Sequence, residues 1–327
     1  MIKVGSKEER DRWVHAITKA SKLSVDDLYI FDDLNQSDSL LRKKKLGNGR
    51  YSKIYAARRK LLEENETTST SLSSLQGDNN IEPMFPSDED ADVVNGNDGN
   101  DSSLELNCAL KIIPKSLFWE RVRNGHERVD TLVRETTVQA TLTAHANQMG
   151  YDKPPFLRLR SFFETRETVV LELELLKGTD LFQYVHCHGS LKEKESAYIM
   201  KDVLKCLSVT EKLGIAHRDV KPANILMCNK RKDGVRVKVG DYGMSTYVGL
   251  DGLVRGRCGT PGYVAPEIFA AGVNGGYKNK VDIFSAGVTL YVLLCGYEPF
   301  YGETDAELMA ANKAAKVEFP ADDWEQG

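Results

Sequence analysis

No two cysteines stand in a C-x-x-C spacing; the six in the chain, at 108, 187, 206, 228, 258 and 295, are scattered. That favours reduced thiols in a cytosolic compartment over a disulfide framework or a zinc site. Long apolar runs are also missing. The most apolar stretch, 284–297, is broken by Ser285, Gly287 and Thr289, and is too short and mixed for a bilayer-spanning helix. No secretory signal opens the chain. Lys and Arg are absent from 61–107, a segment with twelve acidic residues from Glu63 to Glu105. Since the net charge is −4, the rest of the chain carries +8. A mildly basic body suits an anionic nucleotide or lipid headgroups, and no nucleic-acid partner is expected. What the chain does have is length and apolar content, 327 residues with 41% hydrophobic, enough for one large domain or two smaller ones.

The most informative stretch is His217-Arg218-Asp219-Val220-Lys221-Pro222-Ala223-Asn224, set between apolar segments. It places a carboxylate, an ammonium and a carboxamide on one short loop. Asp219 can take a proton from an attacking hydroxyl, Lys221 can neutralise charge on a phosphate in transfer, and Asn224 can offer its amide oxygen to a metal ion. The stretch matches H-R-D-L-x-x-x-N with Val220 for Leu, so the chain resembles the eukaryotic serine/threonine protein kinases. The resemblance implies a two-lobed α+β fold, a small five-stranded lobe and a helical lobe, acting on ATP with Mg2+ and on protein Ser/Thr hydroxyls.

Further motifs follow in the family's order. Leu46-Gly47-Asn48-Gly49-Arg50-Tyr51-Ser52-Lys53-Ile54 resembles the glycine-rich loop, with Ser52 for the third Gly and Ile54 for Val; Gly47 and Gly49 let backbone approach phosphates. Cys108-Ala109-Leu110-Lys111 resembles V-A-I-K, which implies Ala109 over adenine and Lys111 on the α- and β-phosphates. Glu135 is the expected partner of Lys111, with Glu127 as the alternative. Register on Glu135 puts Gln139 where the family carries Leu or Met, and a buried amide there must find partners. The resemblance makes Leu173 the residue behind adenine, Glu174 to Leu176 the hinge, Asp180 a ribose contact and Leu226 a further ATP-site residue. Asp241 in Asp241-Tyr242-Gly243 resembles D-F-G and joins Asn224 as a metal ligand, while the Tyr242 hydroxyl needs a partner. Thr260, in Cys258-Gly259-Thr260-Pro261 through Glu267, is expected to bond Asp219 and Lys221. Asp282 is expected to hold the catalytic-loop backbone. Residues 192–213 read as a helix with Ile199, Val203, Leu207 and Leu213 inward. His186-Cys187-His188 invites a metal reading, but adjacent side chains at a helix end do not converge.

Outside these motifs the organisation is looser. Ser6-Lys7-Glu8-Glu9 fits a capping box, and Trp13, Val14, Ile17 and Ala20 recur at helical spacing. Residues 1–22 resemble the C-terminal helix of a pleckstrin-homology domain, the alternative being a plain N-terminal helix packed on the small lobe. Only a complete domain of that kind is expected to bind membrane phosphoinositide. Residues 23–41 read as a linker with Tyr29–Phe31 as a possible docking strand. Arg42-Lys43-Lys44-Lys45 could meet anionic lipid or begin a solvated strand. The kinase-like part spans 42–327. Within it, 62–106 reads as a disordered acidic insertion whose length costs little, since loop closure grows by only about 0.6 kcal/mol per doubling.

Leu290 to Phe300 resembles the calcium/calmodulin-dependent group, and a pleckstrin-homology helix ahead of it is similar to protein kinase D. The C-terminal helices of the large lobe are expected to be truncated, leaving Glu267 as a buried charge without its arginine. Ala223 stands where basophilic members carry an acid. Kinases with an arginine before the catalytic Asp often neutralise it with a phosphate on the activation segment, yet Val254 to Arg257 offers no hydroxyl. A scaffold of kinase shape without turnover, or a lipid-binding module resting on 6–21, are the competing readings.

Overall fold

The computed structural model describes residues 24–31, 45–59, 106–228, 235–271 and 275–324. The helix expected at 6–21, the basic residues 42–44 and the acidic insertion as far as Glu105 lie outside them. The chain divides into two compact units, Met1–Asn124 with Arg160–Leu175, and Gly125–Leu159 with Leu176–Gly327.

The first unit is built on a sheet of six strands, not the five expected. In chain order these are β1 (Tyr29–Phe31), after the short helix α1 (Val25–Leu28), then β2 (Lys45–Asn48), β3 (Lys53–Arg59), β4 (Cys108–Pro114), β5 (Leu159–Glu164) and β6 (Thr168–Glu174). The order is β1-β3-β4-β6-β5, with β2 also on β3. β1 takes one end of β3 (Tyr29 opposite Arg59, Phe31 opposite Ala57) and β2 takes the other (Lys45 opposite Tyr55, Asn48 opposite Lys53). The supernumerary strand is the one that 23–41 hinted at, so this part of the linker belongs to the sheet. The reason is its buried face. Val25 and Tyr29 join Ala57, Cys108, Leu110 and Val170 in one apolar cluster, and the Tyr29 ring stacks on Phe163 with centroids 5.8 Å apart. The Tyr29 hydroxyl donates to Glu172 at 2.6 Å. Glu172 is 4% exposed and also accepts from Ser161 at 2.8 Å and from the Arg59 guanidinium. A buried carboxylate is tolerated only with such multiple donors. Burial, then Glu172, raises the Tyr29 hydroxyl above its usual range. β4 is apolar almost throughout, as a central strand must be, and leads into α2 (Lys115–Arg123).

The second unit is mainly helical. It holds α3 (Thr131–Gln148), α4 (Leu181–His188), α5 (Glu193–Lys212), α6 (Pro266–Phe269), α7 (Val281–Cys295), α8 (Asp305–Ala314) and α9 (Ala321–Trp324). α5 turns Ile199, Val203, Cys206 and Leu207 into the core against α7 and α3 residues. It stops at Gly214, whose φ of 65° is the left-handed conformation that ends helices and that glycine adopts without strain. Strand β7 (Ile215–Ala216) follows and delivers the chain to His217. The hairpin of β8 (Ile225–Met227) and β9 (Val237–Val239) pairs Ile225 with Val239. β10 (Thr246–Tyr247) pairs with β7. Gly178 fits beneath β8 because a Cβ there would stand 2.2 Å from the Met227 carbonyl oxygen.

Glu267 corrects an expectation. It sits exposed in the first turn of α6, so it carries no desolvation penalty of the kind an unpaired buried charge would.

Candidate active site

Asp219 is the convergence point of the second unit. Its carboxylate is 6% exposed and takes three donors. Thr260 Oγ1 donates to Oδ1 at 2.6 Å, Asn224 Nδ2 donates to Oδ2 at 2.9 Å, and Lys221 Nζ lies 3.1 Å from Oδ2. Lys221 also donates to Thr260 Oγ1 at 2.6 Å, closing a ring of three side chains, Asp219, Lys221 and Thr260, from two distant segments. The loop backbone is fixed from below. Asp282, 3% exposed near the start of α7, accepts from the amides of His217 and Arg218 at 2.7 Å each. Burial pushes the Asp282 carboxyl above its usual range, against the His217 and Arg218 groups that favour its charge. His217 Nδ1 accepts from the Asp219 amide at 3.3 Å, so Nε2 carries the proton and donates to the Gly240 carbonyl at 3.1 Å. Arg218 has φ 66°, a costly conformation for a side-chain-bearing residue. Its amide bond to Asp282 holds it there, as do guanidinium bonds to the carbonyls of Met244 at 2.8 Å and Arg255 at 3.1 Å.

The two metal-ligand candidates stand at one end of the β8–β9 hairpin. The Gly240 amide donates to the Asn224 carbonyl at 2.8 Å, which sets Asp241 one residue beyond Asn224's partner. Asn224 spends its Nδ2 on Asp219, at the carbonyl (2.8 Å) and the carboxylate, which leaves Oδ1 as the amide's acceptor. Asp241 is exposed, with φ 55°. A carboxylate and an amide oxygen are hard donors, few enough to leave positions for phosphate oxygens, which is the ligand set Mg2+ takes beside nucleotides. The donors present fit that ion. Tyr242 is fully buried; its hydroxyl finds Val239 O at 3.4 Å and Cys206 Sγ at 3.6 Å, the partners the sequence required but did not name.

The remaining site candidates distribute over both units. In the first, Gly47 lies opposite Ile54 in the β2–β3 ladder and Lys111 opposite Ile54 in β3–β4. Leu46 is exposed, Ala109 is 6% and Lys111 7% exposed, and Ser52 is buried. A Cβ on Gly49 would meet Ser52 Oγ at 2.2 Å and Lys111 Cε at 3.9 Å. Glu174 ends β6 opposite Cys108, and Leu173 lies opposite Ala109. In the second unit, Leu176 is half-buried and Leu226 lies in β8, bridged to Asp180. Asp180 caps α4 by accepting from the Gln183 amide at 2.8 Å, a structural task the sequence did not anticipate. Glu135 is 2% exposed on α3, with its Oε2 3.5 Å from where a Cβ on Gly243 would stand. Glu127 precedes the helix and accepts from Thr131 Oγ1 at 2.8 Å, so Glu135 is the glutamate carried on α3. Gln139, one turn on, is 1% exposed, and its Oε1 has no hydrogen-bond partner among the described residues.

Comparison with known sequences decides the family. The profile described as "Protein kinase domain" matches residues 103–326. The chain belongs to the protein kinase family. This kinase is 37% identical over 227 residues to myosin light chain kinase A of Dictyostelium discoideum, covering 69% of this chain and 70% of the relative. It is 38% identical over 218 residues to calcium/calmodulin-dependent protein kinase type 1 of Macrobrachium nipponense, covering 67% and 57%. It is 36% identical over 174 residues to calcium-dependent protein kinase 3 of Plasmodium yoelii yoelii, covering 53% and 31%. The chain thus spans from 31% to 70% of the length of these relatives. It carries an ATP-dependent protein kinase domain similar to those of the myosin light chain and calcium/calmodulin-dependent kinases. The family match begins only at 103, beyond the glycine-rich strand, yet β2 and β3 sit in ladder register with β4 as parts of the same sheet.

Sequence reasoning missed two residues that brace this kinase's site. Tyr277 donates its hydroxyl to the Gly256 carbonyl at 2.8 Å, lies 3.5 Å from Arg218 Nη1, and exchanges backbone bonds with Val254 at 2.7 and 2.9 Å. Burial pushes that hydroxyl up to about 12. Asn312, on α8, is fully buried and bonds Gly262 and Val264. The first carries no motif. The second is signalled only as an amide among the small apolar residues of Ala310 to Ala315.

Proposed function

We propose that the kinase transfers the γ-phosphoryl group of MgATP to serine or threonine hydroxyls of proteins, with Asp219 as the base. The observation that carries this is the convergence of Thr260, Asn224 and Lys221 on the Asp219 carboxylate. Those donors fix its orientation, which is the preorganisation that phosphoryl transfer rewards. The acceptor hydroxyl gives its proton to Asp219 as its oxygen bonds the γ-phosphorus. The bond from that phosphorus to the β–γ bridging oxygen breaks, and ADP leaves. Lys221 stands beside the carboxylate to meet charge on the transferring group. Asn224 and Asp241 are the residues that would hold Mg2+, which neutralises phosphate charge when bound. Lys111 is assigned to the α- and β-phosphates, with Leu46, Gly47, Gly49, Ile54, Ala109, Glu135, Glu174, Leu176, Asp180 and Leu226 completing the ATP site. Phosphoinositide recognition is assigned only to a complete pleckstrin-homology domain.

Asp219→Asn tests the assignment. It keeps an oxygen acceptor and the loop's shape but removes the base, so kcat on a peptide should fall about 10²- to 10⁴-fold while binding of a fluorescent ATP analogue with Mg2+ persists. Substantial turnover by the purified variant would remove Asp219 from that role. A wild-type chain that binds the analogue but never phosphorylates any peptide would favour a scaffold.

A further inference from the structure

The segment that follows Thr260 must lie beside any peptide whose hydroxyl reaches Asp219, because Thr260 itself bonds that carboxylate. Its backbone is held almost group by group. The Gly262 amide donates to Asn312 Oδ1 at 3.1 Å, and Asn312 Nδ2 donates to the Val264 carbonyl at 2.8 Å. Ser285 Oγ donates to the Tyr263 carbonyl at 2.8 Å, and the Tyr263 hydroxyl donates to Glu298 at 3.0 Å. Of these anchors Asn312 is the most deeply placed, with 0% exposure. It reaches both sides of Tyr263 at once, from a helix about fifty residues further along the chain. Gly262 has φ 87°, a conformation that side-chain-bearing residues resist, so this short stretch does not rest in that shape by itself. A buried carboxamide spends one acceptor and one donor on it, and both would be orphaned in a helix facing a core if the loop moved. α8 is in turn anchored by a capping box, with Thr304 Oγ1 accepting from the Glu307 amide at 3.3 Å and Glu307 accepting from the Thr304 amide at 3.2 Å.

We infer that Asn312 is a positioning residue for the protein substrate: it sets the shape of Gly262–Val264, the loop against which the substrate backbone lies next to its acceptor hydroxyl. The ligand is an extended peptide segment, and the effect of Asn312 falls on peptide use rather than on nucleotide. This rests on the assignment of Asp219 as base.

The test uses the full chain and three readouts: kcat/KM for a phosphorylatable peptide, KM for ATP, and ATP hydrolysis without peptide. Asn312→Ala should lower peptide kcat/KM by about 5- to 100-fold, the equivalent of two lost hydrogen bonds, with KM for ATP and peptide-free hydrolysis unchanged. Asn312→Asp keeps an acceptor for Gly262 but sets a buried carboxylate oxygen against the Val264 carbonyl, and should lower peptide kcat/KM at least as far as Asn312→Ala. Equal losses in all three readouts mean a general structural role and overturn the inference, as does an unchanged peptide kcat/KM. If neither variant folds, hydrogen exchange on the wild type decides: a protected Gly262 amide supports the clamp, and exchange at the unprotected rate refutes it. An active wild type with a dead Asp219→Asn but an unaffected Asn312→Ala sinks this inference alone. An active Asp219→Asn sinks the underlying assignment instead.

Discussion

Replacing Gln139 with methionine should make the second unit more stable. Gln139 lies on α3 between Val138 and Leu142, both 0% exposed, and is itself 1% exposed. Its Oε1 is buried without a hydrogen-bond partner among the described residues. An unsatisfied buried acceptor costs about 1–3 kcal/mol in lost solvation. Methionine has the same unbranched reach, no carbonyl to desolvate, and a flexible thioether that tolerates an irregular slot. A volume-conserving change of this kind costs less than about 1.5 kcal/mol in repacking, so a net gain of about 1–2 kcal/mol is expected. For a unit of this size each kcal/mol moves Tm by about 2–4 °C, which gives a rise of about 2–8 °C. The assay is urea unfolding together with a thermal melt. The midpoint should rise with the denaturant slope unchanged, the signature of a stability change without a change in exposed surface. Gln139→Glu serves as the opposite perturbation, since it adds a charge where the amide already lacks a partner. A lower midpoint for Gln139→Met would mean that Oε1 is satisfied in solution, for instance by a buried water, and the reasoning would be wrong.

Two other outcomes follow from the geometry. Asp282→Ala removes the shared acceptor of the His217 and Arg218 amides; hydrogen bonds to a charged group are worth about 1.5–3 kcal/mol each, so kcat should fall at least about a hundredfold, and a loss under about tenfold would show that the loop holds its own shape. Phosphatase treatment of active protein should leave peptide phosphorylation unchanged, because Arg218 is already bonded to the carbonyls of Met244 and Arg255 and Val254 to Arg257 carries no hydroxyl; a collapse of activity with the lost phosphate mapped to 245–260 would refute this.

The catalytic loop was legible because its chemistry is local. Asp219, Lys221 and Asn224 fall within six consecutive residues, and the contacts expected of Thr260 and Asp282 are the ones observed. Strand β1 was harder to read. Three residues have no decisive periodicity, and what buries Tyr29 is Cys108, Leu110, Phe163 and Val170, far along the chain, with Glu172 accepting from its hydroxyl. Glu267 went the other way: family pattern suggested a buried charge, but its position in the first turn of a four-residue helix leaves it in water. Asn312 was invisible for a related reason. A polar residue in a helix reads as solvent-facing until the loop it serves is brought against it.

The ladder between β3 and β4 has a practical consequence for anyone altering this protein. Ala57 stands opposite Cys108, and the Asn107 amide donates to the Ala57 carbonyl at 3.1 Å. The end of β3 and the start of β4 therefore stand at neighbouring points, and the ladder, not the connecting length, fixes how the strands meet. The junction is a splice port. A folded reporter whose own termini lie close together could replace the intervening residues without shifting the register of Lys111, since lengthening a connection whose ends are already clamped costs little entropy.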